Sequence, residues 1–175
     1  MQHLATPDEL LAKLADQLQT LLDKKAIANP LMVGIHTGGV WVATKLHRLL
    51  NIAEPLASLD ISFYRDDFSR IGMHPKVKPS TLPPNVEDRH IILVDDVLHT
   101  GRTIRAAMNE LFDYGRPASI TLACLIDRGG RELPLQADII GEYINLNEHE
   151  HIKLTGPEPL LFELQKNTSQ KAVQG

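Results

Sequence analysis

Three short, unbroken apolar runs in this 175-residue chain each stop at a segment of glycine, threonine or charged residues. Leu31-Met32-Val33-Gly34-Ile35 stops at His36-Thr37-Gly38-Gly39, and Ile91-Ile92-Leu93-Val94 stops at Asp95-Asp96. Ser119-Ile120-Thr121-Leu122-Ala123-Cys124-Leu125-Ile126 stops at Asp127-Arg128-Gly129-Gly130. A run without polar alternation offers no face to water, so it reads as a strand covered on both sides, the kind found in parallel sheets. Helical spacing fills the gaps: Val40, Ala43, Leu46, Leu49 and Leu50 to about Asn51, then Ile104, Ala107, Met108 and Leu111 up to Gly115. Strand and helix in alternation predict an α/β fold with a doubly wound parallel sheet. In such a sheet ligands bind beyond the carboxyl ends of the strands, so the polar segments should converge on one site.

The chain begins with a well-marked helix. Thr6 is placed to cap it, Pro7 suits the first helical position, and Glu9 completes a capping box. Leu11, Leu14, Leu18, Leu21 and Leu22 form one apolar stripe, to be buried as core or as a dimer seam, and Asn29-Pro30 ends the helix. A second strand is expected over Ala57 to Tyr64. The polar, proline-bearing stretch that follows (68–89) is too long for a plain connection and reads as a lid loop or exposed hairpin. Residues 165–175 are polar and weakly patterned, so one domain is expected over 1–164 with a frayed tail.

Composition bounds the partners. With 18 Lys+Arg against 22 Asp+Glu, the net charge of −4 argues against broad binding to nucleic acid or to an anionic membrane. No apolar run approaches the ~20 residues needed to span a bilayer. The start lacks a basic segment followed by an apolar one, and the single cysteine, Cys124, fits a reducing compartment. A cytoplasmic location is expected. In mid-strand, Cys124 is read as packing.

The chemistry concentrates after Val94. Thr100-Gly101-Arg102-Thr103 falls where a strand turns into a helix: glycine allows close backbone approach, and free helix amides and two hydroxyls supply donors. That combination makes a phosphate cradle. It lacks the Lys of a Walker loop and the spacing of Gly-x-Gly-x-x-Gly. Asp95 and Asp96 would repel phosphate, but they suit sugar hydroxyls or water-coordinated Mg²⁺.

The stretch from Ile91 to Thr103, four apolar residues, two acids, a spacer and Thr-Gly-x-Thr, resembles the phosphoribosyl-pyrophosphate (PRPP) motif of the type I phosphoribosyltransferases. The resemblance runs from about Leu31 to Ile144. Tyr64-Arg65-Asp66-Asp67, Gly115-Arg116-Pro117 and Asp127 to Pro134 draw it toward the branch of pyrimidine-operon regulators with uracil phosphoribosyltransferase activity.

The resemblance implies a set of roles. Asp95 and Asp96 would hold the ribose hydroxyls and, through water, Mg²⁺, with Arg65 as a further catalytic candidate, in a cluster that is either a lid hinge or part of the substrate site. His99, Thr100, Gly101, Arg102 and Thr103 would take the 5-phosphate. Thr37, Gly38 and Gly39 would form the pyrophosphate loop, where a strained or cis peptide is usual in the family. Arg70, Lys76 and Lys78 would lie on a flexible lid. Ile126, Asp127 and Arg128 would open a small C-terminal hood (127–155) that reads the base.

His99 stands where 6-oxopurine enzymes of the family have aspartate, which disfavours hypoxanthine and guanine. It is either a weak phosphate donor or an exposed ring. Arg128 and Arg131 are open between ligand contacts and a structural network with Glu132 and Asp138. His149 and His151 lack a third ligand at metal spacing and read as a solvated edge, while Trp41 reads as a packing anchor. The expected activity is UMP and pyrophosphate formation from uracil and PRPP with Mg²⁺, in a homodimer or larger homo-oligomer. The alternatives are a UMP- or PRPP-sensing regulator that binds operon RNA, or a phosphoribosyltransferase for another base. The near-neutral first helix, with Lys13 the sole basic residue of its first half, ranks the enzyme above the RNA regulator.

Overall fold

The computed structural model describes residues 4–61 and 80–167. The first helix, α1 (Pro7–Lys24), starts on the expected capping box. The Glu9 amide donates to Thr6 Oγ1 at 3.3 Å, and the Thr6 amide donates to Glu9 Oε2 at 2.8 Å. Helix α1 ends at Lys24, six residues before Pro30, the proline expected to stop it. Ala26 adopts a left-handed φ of 53°, and the Ile27 amide turns back to Leu22 O at 2.9 Å. That closure satisfies the last carbonyls without glycine in the position that favours it.

Strand β1 (Leu31–Ile35) leads into α2 (Gly38–Leu49) and then the short strand β2 (Ala57–Leu59). Strand β3 (His90–Leu98) leads into α3 (Arg102–Asp113), followed by β4 (Ser119–Asp127) and β5 (Ile139–Tyr143). The five strands are all parallel in the order β2-β1-β3-β4-β5. From β1 the chain winds outward through α2 to β2. It then crosses to β3 and winds the other way, so the sheet is doubly wound and its switch point lies between β1 and β3. Residues 139–143, inside the segment assigned to the hood, are the sheet's edge strand.

Two cores flank the sheet. On one face Leu10, Leu11, Leu14, Leu18 and Leu22 of α1 pack with Val42 and Leu46 of α2 against Val94, Leu125, Ile126 and Ile139. The leucine stripe is therefore core, each side chain contributing roughly 1.5–3 kcal/mol on burial. On the other face Ile104, Ala107 and Leu111 of α3 cover Val33, Leu93, Leu122 and Cys124. Helix α1 is tied across the sheet edge as well. Lys13 Nζ donates to Gly141 O at 2.5 Å, and the Ala5 amide donates to Glu142 Oε2 at 3.2 Å.

An antiparallel hairpin, β6 (Glu150–Thr155) and β7 (Leu161–Lys166), follows the sheet. Strand β7 takes in Gln165 and Lys166, which the sequence places in the tail: register pairing with His151 and Glu150 orders them despite their polarity. Residues 80–89, read as the end of the lid, are anchored to the body. Val86 is fully buried, the Val86 amide donates to Tyr114 O at 3.0 Å, and the Thr81 amide donates to Ser58 O at 2.9 Å. Among the described residues, no helix is long and apolar enough to cross a membrane.

Candidate active site

The site forms where β1 and β3 end side by side, and its floor begins inside the sheet. Pairing with β4 carries β3 past Val94 to Leu98, so Asp95 and Asp96 belong to the strand and not to the loop that their charge suggests; Asp95 lies opposite Cys124. Asp95 is only 3% exposed, and its Oδ1 accepts the Asp96 amide at 2.9 Å. The pyrophosphate-loop candidates press against this pair. A Cβ on Gly38 would lie 2.2 Å from Asp96 Oδ2, and one on Gly39 would lie 2.7 Å from Val94 O. Glycine is thus set at both positions by close approach. The His36–Thr37 peptide is cis.

A cleft of about 320 Å³ opens above the acids, lined by Asp95, Asp96, His99, Thr100, Gly101 and Thr103, with Ile152 of β6 as its roof. Gly101 caps α3 with φ 92°, a conformation that L side chains rarely adopt. The Thr100 hydroxyl accepts the Arg102 amide at 3.2 Å, so the first turn of α3 is ordered beside the cleft. The amides that follow at the helix start have no intrahelical acceptor and favour an anion.

Arg102 does not line this cleft; its Nε donates to Glu132 Oε2 at 2.7 Å. Gly38 and Gly39 border it through Asp96 and Asp95, and Thr37 precedes them at the start of α2. Ile126 and Asp127 end β4, Arg128 follows it, and none of the three lines the cleft. Arg65, Arg70, Lys76 and Lys78 lie outside the described residues.

The segment after β4 is stitched to the phosphate loop. Arg131 spends all three guanidinium nitrogens internally: Nη1 on His99 O at 2.8 Å, Nη2 on Asp127 Oδ2 at 2.5 Å and Nε on Leu135 O at 2.8 Å. The Glu132 amide donates to Thr100 O at 2.9 Å, and His99 Nδ1 lies 3.0 Å from Gly129 O. The structural network left open for Arg131 therefore exists, but its acid is Asp127. Glu132 serves Arg102, and Asp138 accepts the Leu122 amide at 2.8 Å. Arg128 reaches the other way, to Glu150 O and His151 Nδ1, both at 3.1 Å. Burial lowers its guanidinium from the ordinary arginine value. His151 is consequently bonded and not simply solvated. Burial pushes the Cys124 thiol well up, with Asp95, Asp127 and Asp96 adding to the effect and Arg131 opposing it, so it is a neutral packing group.

Sequence reasoning missed Ile152 as the roof. The apolar alternation of Ile152 and Leu154 in a polar stretch is the signal that could have found it. Among the described residues no group of three or more His, Cys, Asp or Glu could hold a metal alone. Two carboxylates beside a phosphate cradle do fit Mg²⁺, which binds through one or two carboxylates, water and substrate phosphates.

A parallel sheet that ends in two strand acids, a glycine-capped helix start and a close-packed Gly-Gly loop defines a phosphoribosyltransferase. The phosphoribosyl transferase domain model matches residues 5–156, and the chain belongs to that family of glycosyl-transferring enzymes. Its sequence places it in the PyrR-like branch. It is 58% identical to the bifunctional protein PyrR of Nitrosococcus oceani over 160 residues, covering 90% of each chain. It is 55% identical to the bifunctional protein PyrR of Pseudomonas aeruginosa, covering 91% of this chain and 94% of that one. In fold it resembles the hypoxanthine phosphoribosyltransferase of Trypanosoma cruzi, with TM-score 0.68 at 20% identity over 95% of this chain and 97% of that one.

Proposed function

We propose that this protein transfers the 5-phosphoribosyl group of PRPP to uracil, releasing pyrophosphate and forming UMP. The observation that carries the reading is the contact of Gly38 and Gly39 with Asp95 and Asp96 at the mouth of a helix-capped phosphate cradle. Asp95 and Asp96 receive the ribose hydroxyls, while Thr100, Gly101, Thr103 and the start of α3 receive the 5-phosphate. Thr37 to Gly39 receive the pyrophosphate. N1 of uracil bonds to the anomeric carbon as the bond from that carbon to the pyrophosphate oxygen breaks, and the proton lost from N1 passes to the departing pyrophosphate or to water. The protein contributes by aligning these centres and stabilising charge, with no covalent intermediate. Mg²⁺ bound through Asp95, Asp96 and water would neutralise the departing pyrophosphate. Ile126 and Asp127 lie toward the base side, and Arg128 contributes to it through the hairpin beyond.

Uracil is favoured by the regulator-branch segments and by the high identity to bifunctional PyrR proteins across nine-tenths of the chain. The test is pyrophosphate release from PRPP and Mg²⁺ against a panel of uracil, orotate, hypoxanthine, guanine and xanthine. Release with uracil supports the reading, and none with uracil ends it. The designation of the relatives as bifunctional favours a second activity, regulation of pyrimidine-operon expression through leader RNA. A gel shift with and without UMP at physiological salt tests that part separately. The cytoplasm suits both activities. The self-association implied by the family resemblance is tested by sedimentation.

A further inference from the structure

The hairpin that roofs the cleft is held at its two ends by different chemistry. At its turn, Gly156 lies so near α2 that a Cβ there would sit 3.2 Å from Trp41 Cε3, and Lys45 Nζ reaches Glu158 Oε1 at 2.8 Å. At its open end the tether is Arg128, one residue beyond β4, which grips the Glu150 carbonyl and the His151 ring. Ile152, the roof, is the next residue along the strand and is 8% exposed.

The Arg128–His151 contact has a protonation requirement. A guanidinium only donates and does not lose its proton in proteins. His151 Nδ1 must therefore offer a lone pair, which puts the ring proton on Nε2. Nε2 lies 2.9 Å from Asn167 Nδ2, and two facing donors cannot bond, so this tautomer requires the Asn167 amide to be turned over with its oxygen accepting from the ring. Adding a second proton would set two donors and two positive charges face to face at 3.1 Å. The groups around the ring do not cancel that charge. Lys153 and His149 lie along its own strand, Gln165 is its partner across the hairpin, and Glu150 is engaged by Asn147 and lies 3.8 Å from Lys166.

We propose that Arg128 is a positioning residue for base recognition: by holding Glu150 and His151 it fixes Ile152 over the cleft, and it does so through a lone pair on His151 Nδ1. The inference rests on the reading of the cleft as the phosphoribosyl-transfer site. Arg128 acts through the hairpin, so its loss should weaken the base more than PRPP, whose ribose and 5-phosphate that reading assigns to Asp95, Asp96 and the start of α3.

The experiment is steady-state pyrophosphate release by the full chain and by Arg128→Met, Arg128→Lys and His151→Gln, with uracil and PRPP varied separately at one pH. Arg128→Met removes two charge-assisted hydrogen bonds and is expected to raise KM for uracil at least about tenfold. KM for PRPP should stay within about twofold, and Arg128→Lys should recover part of the loss. His151→Gln keeps an acceptor for Arg128 and should raise KM for uracil less than Arg128→Met does. An unchanged KM for uracil in Arg128→Met, an equal change in both KM values, or a His151→Gln protein as impaired as Arg128→Met overturns the proposal. Amide hydrogen exchange of residues 150–155, compared at one pH without substrate, reads the tether independently of turnover. Faster exchange in Arg128→Met supports it, and equal exchange overturns it. Absence of uracil turnover in the unaltered protein would count against the base assignment and leave the exchange result to judge the tether.

Discussion

Replacing Gly39 by alanine should damage the site by a calculable route. The new Cβ would lie 2.7 Å from Val94 O, 3.1 Å from Asp95 Cα and 3.2 Å from Asp95 Oδ1. Carbon and carbonyl oxygen ordinarily approach no closer than about 3.3 Å, so something must retreat by about 0.6 Å. Val94 is paired with Gly34 of β1 on one side and Ala123 of β4 on the other, so the strand is braced and the loop yields. Overpacking of this kind costs about 1–3 kcal/mol, a fall in Tm of roughly 2–12 °C for a chain of this size. A misplacement of ~1 Å at a reacting centre costs ~10²-fold, so 0.6 Å corresponds to about tenfold in kcat/KM for PRPP.

Gly38→Ala is the informative comparison. Its Cβ would come closer still, 2.2 Å, but to Asp96 Oδ2. A carboxylate can turn aside for about 0.5–1.5 kcal/mol, so the shorter contact should cost less stability while still displacing Asp96. The assays are thermal unfolding and pyrophosphate release with PRPP varied at saturating uracil. A Gly39→Ala protein with unchanged Tm and unchanged KM for PRPP refutes the claim that contact between loop and strand sets the site.

Other perturbations follow from the packing. Leu14→Asp places a charge at a fully buried core position and should leave no cooperative thermal transition at 37 °C, whereas a melting temperature equal to that of the unaltered protein would contradict the core assignment. Arg131→Met strands the Asp127 carboxylate, whose side chain is 6% exposed, and should cost about 3–5 kcal/mol by urea titration; a loss below about 1 kcal/mol would show that the clamp is dispensable. Ala26→Gly relieves a left-handed φ of 53° and should raise Tm by roughly 2–4 °C for about 1 kcal/mol, an outcome a lowered Tm would contradict. Cys124 should resist a disulfide reagent at about pH 8 in the folded state and react in urea. Because folding raises its pKa, the unfolded chain ionises first, so this group's contribution to stability falls as pH rises beyond the ordinary thiol range.

What could be read from sequence was whatever local pattern dictates. Thr6, Pro7 and Glu9 announce the start of α1 because a capping box is satisfied within four residues. The continuous apolar runs announce β1, β3 and β4 because only a strand covered on both faces tolerates them. The end of β3 was hidden: hydrophobicity stops at Val94, but hydrogen bonding to β4 continues beneath two acids. Strand β5 was hidden for a related reason. Its Gly141 would put a Cβ 2.3 Å from Leu125 O, so a residue that reads as a strand breaker is required by the neighbouring strand. The partners of Arg102, Arg128 and Arg131 were invisible because each lies on another element, and spacing along the chain says nothing about which carboxylate arrives. The acids, the cradle and the Gly-Gly loop were legible as separate motifs. That Gly38 touches Asp96 was not, since it follows from the pairing of β1 with β3.

The placement of α1 also bears on the order in which the chain can assemble. Helix α1 leaves the ribosome before the strands it packs on, yet its leucines rest on Leu125, Ile126 and Ile139, and the polar ties of Lys13 and of Ala5 just ahead of it run to Gly141 and Glu142, 128 and 137 residues away. Contacts so distant in sequence form late, after much loop entropy has been lost. Until residues up to about 143 have emerged, the helix carries an uncovered apolar stripe, the kind of surface on which nascent chains misassociate or recruit chaperones. A chain released before β5 should therefore fail to fold even though it already contains every phosphate-binding motif.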